Sequence, residues 1–389
     1  MESSAAPADA RRSISSLTDM KVLQILPELN SGGVERGTLE LAAYLVAQGH
    51  DALVVSNGGR QVEALEKSGA RHITMPVHRK SLNSLFQVSP FRKLLEKEKP
   101  DILHIRSRVP GWIAYLAWRK MDKTTRPRLV STVHGFYSVS YYSAIMTKGE
   151  RVIGVSRSIK KYILKNYPDT RTDKIRVIHR GVSPDEFPRN YQPPTRWLDA
   201  WHAEHPNLTG KKVLLLPGRI TRWKGQQDFI QLIASLKSAG HPIHGLILGD
   251  THPKKRAFKV ELQTLAADLG VADEISFLGH RSDVREVMSI CDIAFSLSRD
   301  PEAFGRVSLE AASLGRPVIG YDHGGVAEQL SVFFPQGLVP LGDADALRKT
   351  TIRLLDEPQT PDMVMPPFTQ AAMTQATLEV YSELTQPTA

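Results

Sequence analysis

The sequence is poor in cysteine, with Cys291 the only one among 389 residues. A single cysteine forms no disulfide within the chain and builds no thiolate metal cluster, which excludes both kinds of scaffold. Long apolar runs are missing too, and without about 18 consecutive apolar residues we expect no transmembrane helix. The first 19 residues are polar, and Arg11-Arg12 precedes no apolar stretch. We therefore expect a mobile tail at 1–19 and no signal peptide.

Acidic residues are scarce in one region of the chain. Residues 79–128 contain 13 Lys and Arg but only four Asp and Glu, and the whole chain has a net charge of +9. A basic region of this kind indicates an anionic partner, which can be a membrane surface, a nucleic acid or a phosphorylated substrate. Apolar residues interleave with the cations at 79–99, as in segments that lie on anionic membranes. A core helix with a charged outer face has the same pattern, so both readings stay open.

Short apolar runs alternate with amphipathic stretches along most of the chain. Strands are predicted at KVLQIL, DALVVS, HITMP, DILHI, RLVSTVH, RVIGVS and KIRVIH, and later at KVLLLPG, GLILGD, EISFLG, CDIAFSLS and PVIGYD. The predicted helices include 84–97, 140–147 and 305–314. This alternation is typical of parallel sheets covered by helices on both faces.

The alternation stops at 183–210, which holds five prolines and one short predicted helix around Trp197–His202. We therefore predict an α/β fold of two doubly wound, Rossmann-like domains. The first covers 20–182, a linker covers 183–210, the second domain covers 211–360, and a helix and tail cover 361–389. Such sheets bind ligands at the carboxyl ends of their strands, so a central cleft is expected to hold the site.

Two cations follow the first strand of the second half, in PGRITRWKG. Arg219 and Lys224 lie in the predicted strand-to-helix loop, where a guanidinium fork and an ammonium suit a diphosphate. Solvated loop charges would give the same pattern. These residues alone therefore leave both readings open.

Two glutamates flank a short stretch in EAFGRVSLE. Glu302 falls in a predicted loop, and Glu310 lies about five helical positions beyond Gly305, roughly 7.5 Å along the axis. That spacing favours hydroxyl recognition at two points of a long ligand, with the helix N-terminus facing a phosphate. A carboxylate among apolar helix neighbours needs donors or a pocket, unless it points into solvent.

The first half offers weaker signals of the same kind. Gly32-Gly33 opens a predicted helix, whose backbone N–H groups can approach an anion, although a tight turn needs glycines as well. His134 follows a predicted strand at the cleft side, where a structural histidine is equally in keeping with the sequence. His104 and Arg106 end another strand and are weaker candidates.

Together these segments resemble the retaining glycosyltransferases of family four, which have the two-domain GT-B fold. The resemblance begins near Met20 and rests on G-R-x(4)-K-G at 218–225 and E-x(7)-E at 302–310, with Phe-Gly inside the second motif. It implies that Arg219 and Lys224 hold the donor diphosphate and that Glu302 contacts the sugar. The implied ribose ligand is Glu310. Further implied donor-contacting residues are His134, Gly32, Gly33, Phe304, Gly305, Arg306 and Val307.

The resemblance also implies an activity. The expected enzyme is a hexosyltransferase that retains anomeric configuration, needs no metal or cofactor, and uses a nucleotide-sugar donor, UDP-glucose being the first guess. Segments such as TVHGFYSVS are most similar to bacterial lipopolysaccharide-core enzymes, which implies a glycolipid acceptor, a cytoplasmic location and peripheral contact with the inner membrane. Arg180-Gly181 departs from the family's frequent Asn-Gly.

Two other functions compete with this expectation. A nucleotide-sugar epimerase or a phosphorylase can use the same fold, without a separate acceptor or with free phosphate. A nucleic-acid-binding or scaffolding protein could use the basic region. The chain lacks an interleaved aromatic and basic platform with an RNP-like pattern, so we expect no nucleic-acid partner.

Overall fold

The computed structural model describes residues 19–30, 32–251, 256–363 and 368–386. The predicted tail at 1–19 therefore lies, apart from Asp19, outside the described residues. Within the described ranges the chain forms two parallel sheets, one in each half. This architecture confirms the prediction of two doubly wound α/β domains.

The first sheet has the order β3-β2-β1-β4-β5-β6-β7, and all its strand pairs are parallel. Most residues of its inner strands are apolar and buried, as expected where helices cover both faces, whereas no residue of the edge strand β3 is buried. The strands are Lys21–Ile25 (β1), Asp51–Ser56 (β2), Arg71–Thr74 (β3), Ile102–Ile105 (β4), Arg128–Val133 (β5), Arg151–Gly154 (β6) and Ile175–Val177 (β7). The helices between them are Gly33–Ala47 (α1), Val62–Lys67 (α2), Val88–Glu98 (α3), Arg108–Arg119 (α4) and Arg157–Asn166 (α5).

The second sheet has the order β10-β9-β8-β11-β12-β13 and is parallel as well. Its strands are Lys212–Pro217 (β8), Ile243–Leu248 (β9), Ile275–Gly279 (β10), Ile293–Ser296 (β11), Val318–Tyr321 (β12) and Leu338–Val339 (β13). The helices are Thr195–Glu204 (α6), Gln226–Ser238 (α7), Arg256–Asp268 (α8), Val284–Ser289 (α9), Arg306–Ser313 (α10), Gly324–Phe333 (α11), Ala344–Asp356 (α12) and Gln370–Thr385 (α13). In each sheet the strand order reverses beside the first strand, and the ends of strands there form the cleft.

Two predicted helices differ from the structure. The helix expected at 84–97 is a 3₁₀ turn, Leu82–Gln87, followed by α3. Pro90 lies in the first turn of α3, where its missing N–H costs no helical hydrogen bond. The helix expected at 140–147 is a 3₁₀ turn at Ser143–Thr147.

The predicted linker at 183–210 contains α6, which packs on the second domain. The indole nitrogen of Trp197 donates to Asp283 Oδ2 at 2.8 Å, and the Arg281 guanidinium lies 5.0 Å from the Trp201 ring centre. Trp201 is 2% exposed. The tryptophans thus fasten the end of the predicted linker to the sheet that follows it.

The last described helix, α13, returns to the first domain. Leu378, Val380 and Tyr381 are buried together with Val22 and Leu45 of that domain. The hydroxyl of Tyr381 lies 2.6 Å from His104 Nδ1. The chain therefore crosses between the domains twice, once before α6 and once before α13.

Candidate active site

Lys224 lies at the cleft because of the turn between β8 and α7. Gly225 caps α7 with a left-handed φ of 76°. A Cβ at this position would lie 2.0 Å from the carbonyl oxygen of Leu297, next to β11. Only glycine satisfies both conditions, so the Lys-Gly pair brings the loop after β8 against the loop after β11.

Lys224 and Glu302, predicted from separate motifs, meet in the structure. Lys224 Nζ lies 2.5 Å from Glu302 Oε1, and the Ser298 hydroxyl donates to the same oxygen at 2.7 Å. Arg219 lies in the same loop as Lys224 and is exposed. In the part of the chain that the structure describes, the Arg219 side chain has no hydrogen-bonding partner, so its guanidinium is available to a ligand.

Asp228 in the first turn of α7 anchors the loop that carries Glu302. Its carboxylate accepts from Arg299 Nε at 3.0 Å and from the Tyr321 hydroxyl at 2.7 Å. The carbonyl of Glu302 accepts from the backbone N–H of Gly325 at 2.7 Å. Three elements therefore hold the loop in place behind Glu302.

Glu310 lies in α10, whose entry requires Gly305. Gly305 has a φ of 87°, and a Cβ there would lie 2.6 Å from Val326 Cγ2. Glu310 is 8% exposed and lies 3.4 Å from Arg36 Nη1 and 3.6 Å from Arg306 Nε. Burial raises the pKa of Glu310 above its ordinary value, and the two arginines oppose that rise.

The remaining predicted residues around α10 have unequal surroundings. Phe304 is 4% exposed, and its ring centre lies 6.0 Å from those of His179 and Phe368. Its side chain therefore belongs to the packing between the domains, and only its backbone is left for a ligand. Val307 is half-buried in the first turn of α10.

Gly32 and Gly33 open α1, as predicted, with Gly32 as the N-cap. The structure brings this helix start to α10 of the second domain, because a Cβ at Gly33 would lie 3.9 Å from Arg306 Cδ. The two helix N-termini thus approach each other across the cleft. Arg306 itself donates to both carboxylate oxygens of Glu40, at 3.0 and 3.2 Å.

His134 follows β5 on the first-domain side. Burial, followed by the charges of Arg106 and Arg180, holds the pKa of His134 well below its ordinary value, so the imidazole is neutral at neutral pH. Its Nε2 is buried without a hydrogen-bonding partner in the described structure. No contact of the described structure joins His134 to Lys224 or Glu302.

Sequence reasoning missed two residues that join the domains at the site. Arg36 donates to Glu40 Oε1 at 3.1 Å and also bonds Glu186 and Glu310. Together with Arg306, these contacts make a ring of alternating charge, in which Arg36 and Glu40 come from α1. Helical spacing of four residues links Arg36 to Glu40 in the sequence, but their partners depend on how the domains dock.

Within the described residues, no group of three or more His, Cys, Asp or Glu side chains is arranged to hold a metal ion. In the same part of the chain no helix combines the length and the apolar character needed to cross a bilayer.

Comparison with known proteins follows the division of the chain. Residues 31–186 match the family model described as Glycosyltransferase Family 4, and residues 199–365 match Glycosyl transferases group 1. A glycosyltransferase from Rickettsia africae has 30% sequence identity and a TM-score of 0.83, covering 96% of this chain and 100% of its own. The chain therefore belongs to the family 4 glycosyltransferases of the GT-B fold, and it is a transferase of class EC 2.4.

Two more distant proteins are similar over most of the chain. N-acetyl-alpha-D-glucosaminyl L-malate synthase of Bacillus anthracis is 25% identical over 352 residues, which cover 85% of this chain and 86% of the relative. HepE of Anabaena, solved in complex with UDP and glucose, has 20% identity and a TM-score of 0.75, covering 93% of this chain and 99% of its own. The second match shows a shared fold.

Proposed function

We propose that the protein is a retaining, metal-independent hexosyltransferase that uses a UDP-sugar donor and a membrane-associated glycolipid acceptor. Its product would belong to lipopolysaccharide core or a related envelope glycan. The observation that carries the proposal is the Lys224–Glu302 pair beside the exposed Arg219. It combines diphosphate-binding cations with a hydroxyl-binding carboxylate at the carboxyl ends of β8 and β11.

The proposed roles follow from these positions. Arg219 and Lys224 bind the donor diphosphate and stabilise its charge as the bond to the sugar breaks. Glu302 contacts the sugar hydroxyls, and Glu310 holds the ribose hydroxyls. Gly32, Gly33 and His134 approach the sugar and phosphates from the first domain, and backbone N–H groups at 304–307 complete the donor site.

The two glutamates do not form an acid/base pair in this proposal. Glu302 is bound to Lys224, and Glu310 is bound to Arg36 and Arg306, so each has its own cations. The bond between the sugar's anomeric carbon and the diphosphate breaks while the acceptor oxygen bonds to that carbon. The acceptor's proton passes to a departing phosphate oxygen, which leaves the new bond on the original face.

The choice of UDP is supported by HepE, whose fold this chain shares and which was solved with UDP. The glycolipid acceptor is supported by the basic region of the first domain. Exposed apolar side chains interleave with its cations, and Lys80 Nζ lies 4.7 Å from the Tyr142 ring centre. The exposed apolar side chains of this surface are Leu85, Phe86, Val139 and Tyr141. This arrangement suits a cytoplasmic protein that attaches to an anionic membrane face.

The donor proposal is tested by thermal unfolding with UDP, GDP, ADP and CMP, each with a metal chelator. A nucleotide present at 100 times its dissociation constant stabilises the folded protein by about 2.7 kcal/mol. We expect UDP to raise the unfolding temperature, and Glu310→Ala and Lys224→Ala to remove most of that rise. Lys237→Ala is the matched control, because Lys237 pairs with Glu274 at the other end of α7.

A rise with another nucleotide would reject UDP, and no rise with any of the four would reject the donor site. Product analysis then separates the competing activities. UDP-glucose converted without an acceptor would indicate an epimerase, and consumption of free phosphate would indicate a phosphorylase. Sedimentation with phosphatidylglycerol vesicles tests whether the basic surface binds an anionic membrane. We expect Phe86→Ser to weaken the binding to vesicles without altering UDP binding.

A further inference from the structure

Two arginines are buried at the carboxyl ends of first-domain strands. Arg106 follows β4 and is 2% exposed, and Arg180 follows β7 and is 8% exposed. Among the described residues, neither forms an ion pair with an acidic side chain. Arg106 Nη1 donates to Gln24 Oε1 at 3.0 Å, and Arg180 Nη2 donates to the carbonyl of Gly33 at 2.8 Å.

One edge of the Arg106 guanidinium is entirely free. Its Nε and Nη2 atoms are buried and have no hydrogen-bonding partner in the described structure. These two atoms form the side-on fork of an arginine, which binds two coplanar oxygens at once. Nη1 is already used by Gln24, whose own amide donates to the Thr38 carbonyl at 3.2 Å. The free edge is therefore held in a fixed direction by polar contacts.

Both charges are costly where they lie. Burial lowers the pKa of Arg106 to about 10, and burial together with the charge of Arg106 lowers that of Arg180 to about 9. Both groups are still cationic at neutral pH. A buried charge without a counterion destabilises a protein unless a ligand supplies the opposite charge. The charge of Glu40 raises both pKa values from a distance, but among the described residues no carboxylate forms an ion pair with either arginine.

The surroundings are built around these cations. Gly37 in α1 leaves room for Arg180, since a Cβ there would lie 1.6 Å from Arg180 Nη2. A small cavity is lined by Arg106, Arg180, His104 and Thr132. His104 has no ring nitrogen left for a ligand in this cavity. Its Nδ1 lies 2.6 Å from the Tyr381 hydroxyl, and its Nε2 lies 2.7 Å from the Thr132 hydroxyl.

We propose that Arg106 and Arg180 form a subsite for a carboxylate carried by a sugar substrate. This inference rests on the proposed function. A carboxylate offers two coplanar oxygens to the free edge of the Arg106 guanidinium, which is the bidentate geometry that an arginine fork favours. The substrate class is thus an acidic sugar, such as a uronic acid, as donor or as acceptor.

Calorimetry with two pairs of probes tests the subsite. UDP-glucuronate against UDP-glucose tests a carboxylate on the donor. D-glucuronate against D-glucose, each with saturating UDP, tests a carboxylate on the acceptor. In one pair we expect the acidic member to bind at least about tenfold more tightly, since hydrogen bonds to a charged group are stronger than those between neutral groups. Equal affinity within both pairs would overturn the inference.

Variants assign the effect to the arginines. We expect Arg106→Gln and Arg180→Asn to lose the acidic preference while still binding UDP. If Arg106→Gln does not fold, Arg106→Lys takes its place, because lysine keeps the charge but lacks the two-nitrogen fork. If neither Arg106 variant folds, Arg180→Asn alone decides the outcome. Arg119→Asn, at an exposed site in α4, is the control and should keep the preference. An unchanged preference in folded Arg180→Asn would reject the subsite.

Three further outcomes are informative. Displacement of bound D-glucuronate by inorganic phosphate at equal affinity would overturn the choice of a carboxylate. Retained UDP binding without any acidic preference would reject the subsite alone. If the wild-type protein does not bind UDP at all, the proposed function on which the subsite rests is rejected instead.

Discussion

At the scale of single residues, Glu310 is the most constrained group of the site. It is buried in α10 and contacts Arg36 of the first domain and Arg306 of the second. Both arginines contact Oε1, and among the described residues Oε2 has no such contact, so a ligand can bind Oε2 without displacing them. Because burial raises the pKa of Glu310, its proposed role in donor binding predicts that this binding depends on pH.

The affinity for UDP should fall as the pH is lowered. In the proposed function Glu310 accepts ribose hydroxyls while it is ionised, so the affinity should be complete above its pKa and lost as the pH falls through that pKa. Since that pKa is raised, the loss begins at a higher pH than for an exposed glutamate. Titration calorimetry across the acidic pH range measures the UDP affinity of the wild-type protein and of Glu310→Gln. Taking the ratio of the two affinities cancels the effect of protons that bind to UDP itself.

Arg36→Gln provides the second arm of this experiment. Arg36 lowers the pKa of Glu310, so its neutralisation should move the loss of affinity to still higher pH. The UDP affinities of the wild-type protein and of Arg36→Gln are each divided by that of Glu310→Gln. If both ratios stay constant with pH, Glu310 does not act as an ionised ligand.

The residues of the site divide by what the sequence can reveal. Arg219, Lys224, Glu302 and Glu310 stand in short motifs next to predicted strands, so spacing is enough to predict them as candidate site residues. Arg36 and Glu40 lie inside an amphipathic helix and look like a solvated pair there. Arg306 lies 266 positions from its partner Glu40, and Glu310 lies 274 positions from its partner Arg36, so no local pattern encodes these contacts.

At the scale of elements, α11 of the second domain caps α5 of the first. Glu328 accepts from the backbone N–H of Arg157 at 2.8 Å and that of Ser158 at 2.5 Å. His179 Nε2 lies 3.2 Å from the same carboxylate. Burial would raise the pKa of Glu328, but hydrogen bonds from His179, Ser158 and Arg157 outweigh it and hold the pKa at about 2. A negative charge at this helix start also interacts favourably with the positive end of the helix dipole.

Glu328→Gln should loosen α5 and weaken the contact between the domains. Because the pKa of Glu328 is lowered on folding, its stabilising effect is complete above the unfolded value of 4.5 and disappears as the pH falls towards about 2. Hydrogen exchange at Arg157 and Ser158 should accelerate in the variant at neutral pH. Glu383→Gln, which removes contacts to Arg151 and Arg176 within the first domain, should leave these amides unchanged.

If Glu328→Gln leaves exchange at Arg157 and Ser158 unchanged, the cap contributes nothing to docking.

The element α11 also shows where sequence patterns fail. It begins at Gly324-Gly325, which have low helix propensity, and no helix was predicted there. Strand β13 is two residues long and was missed for lack of an apolar run. The long buried strands were predicted because their burial leaves a continuous apolar pattern.

At the scale of the whole molecule, α13 makes the first domain depend on a distant part of the chain. Leu378 is 2% exposed in the core beneath α1. Leu378→Ala should destabilise the first domain by about 2–5 kcal/mol. Hydrogen exchange resolved by domain should show faster opening of β1, β4 and β5, with the UDP-dependent protection of the second domain preserved.

Leu354→Ala is the matched control for this experiment. Leu354 lies in α12 and is equally buried, at 2% exposed, but in the second domain. Its substitution should open the second sheet and spare the first. If both substitutions opened both domains equally, α13 would stabilise the molecule as one cooperative unit instead.

The return of α13 has a consequence for biosynthesis. The strands of the first domain leave the ribosome early, but the surface that α13 covers stays open until residue 385 has been translated. The second domain, from α6 to α12, emerges in between and is able to close its own core first. The apolar groove beneath α1 is therefore the last part of the protein to be sealed. During synthesis it is the surface on which a chaperone would act.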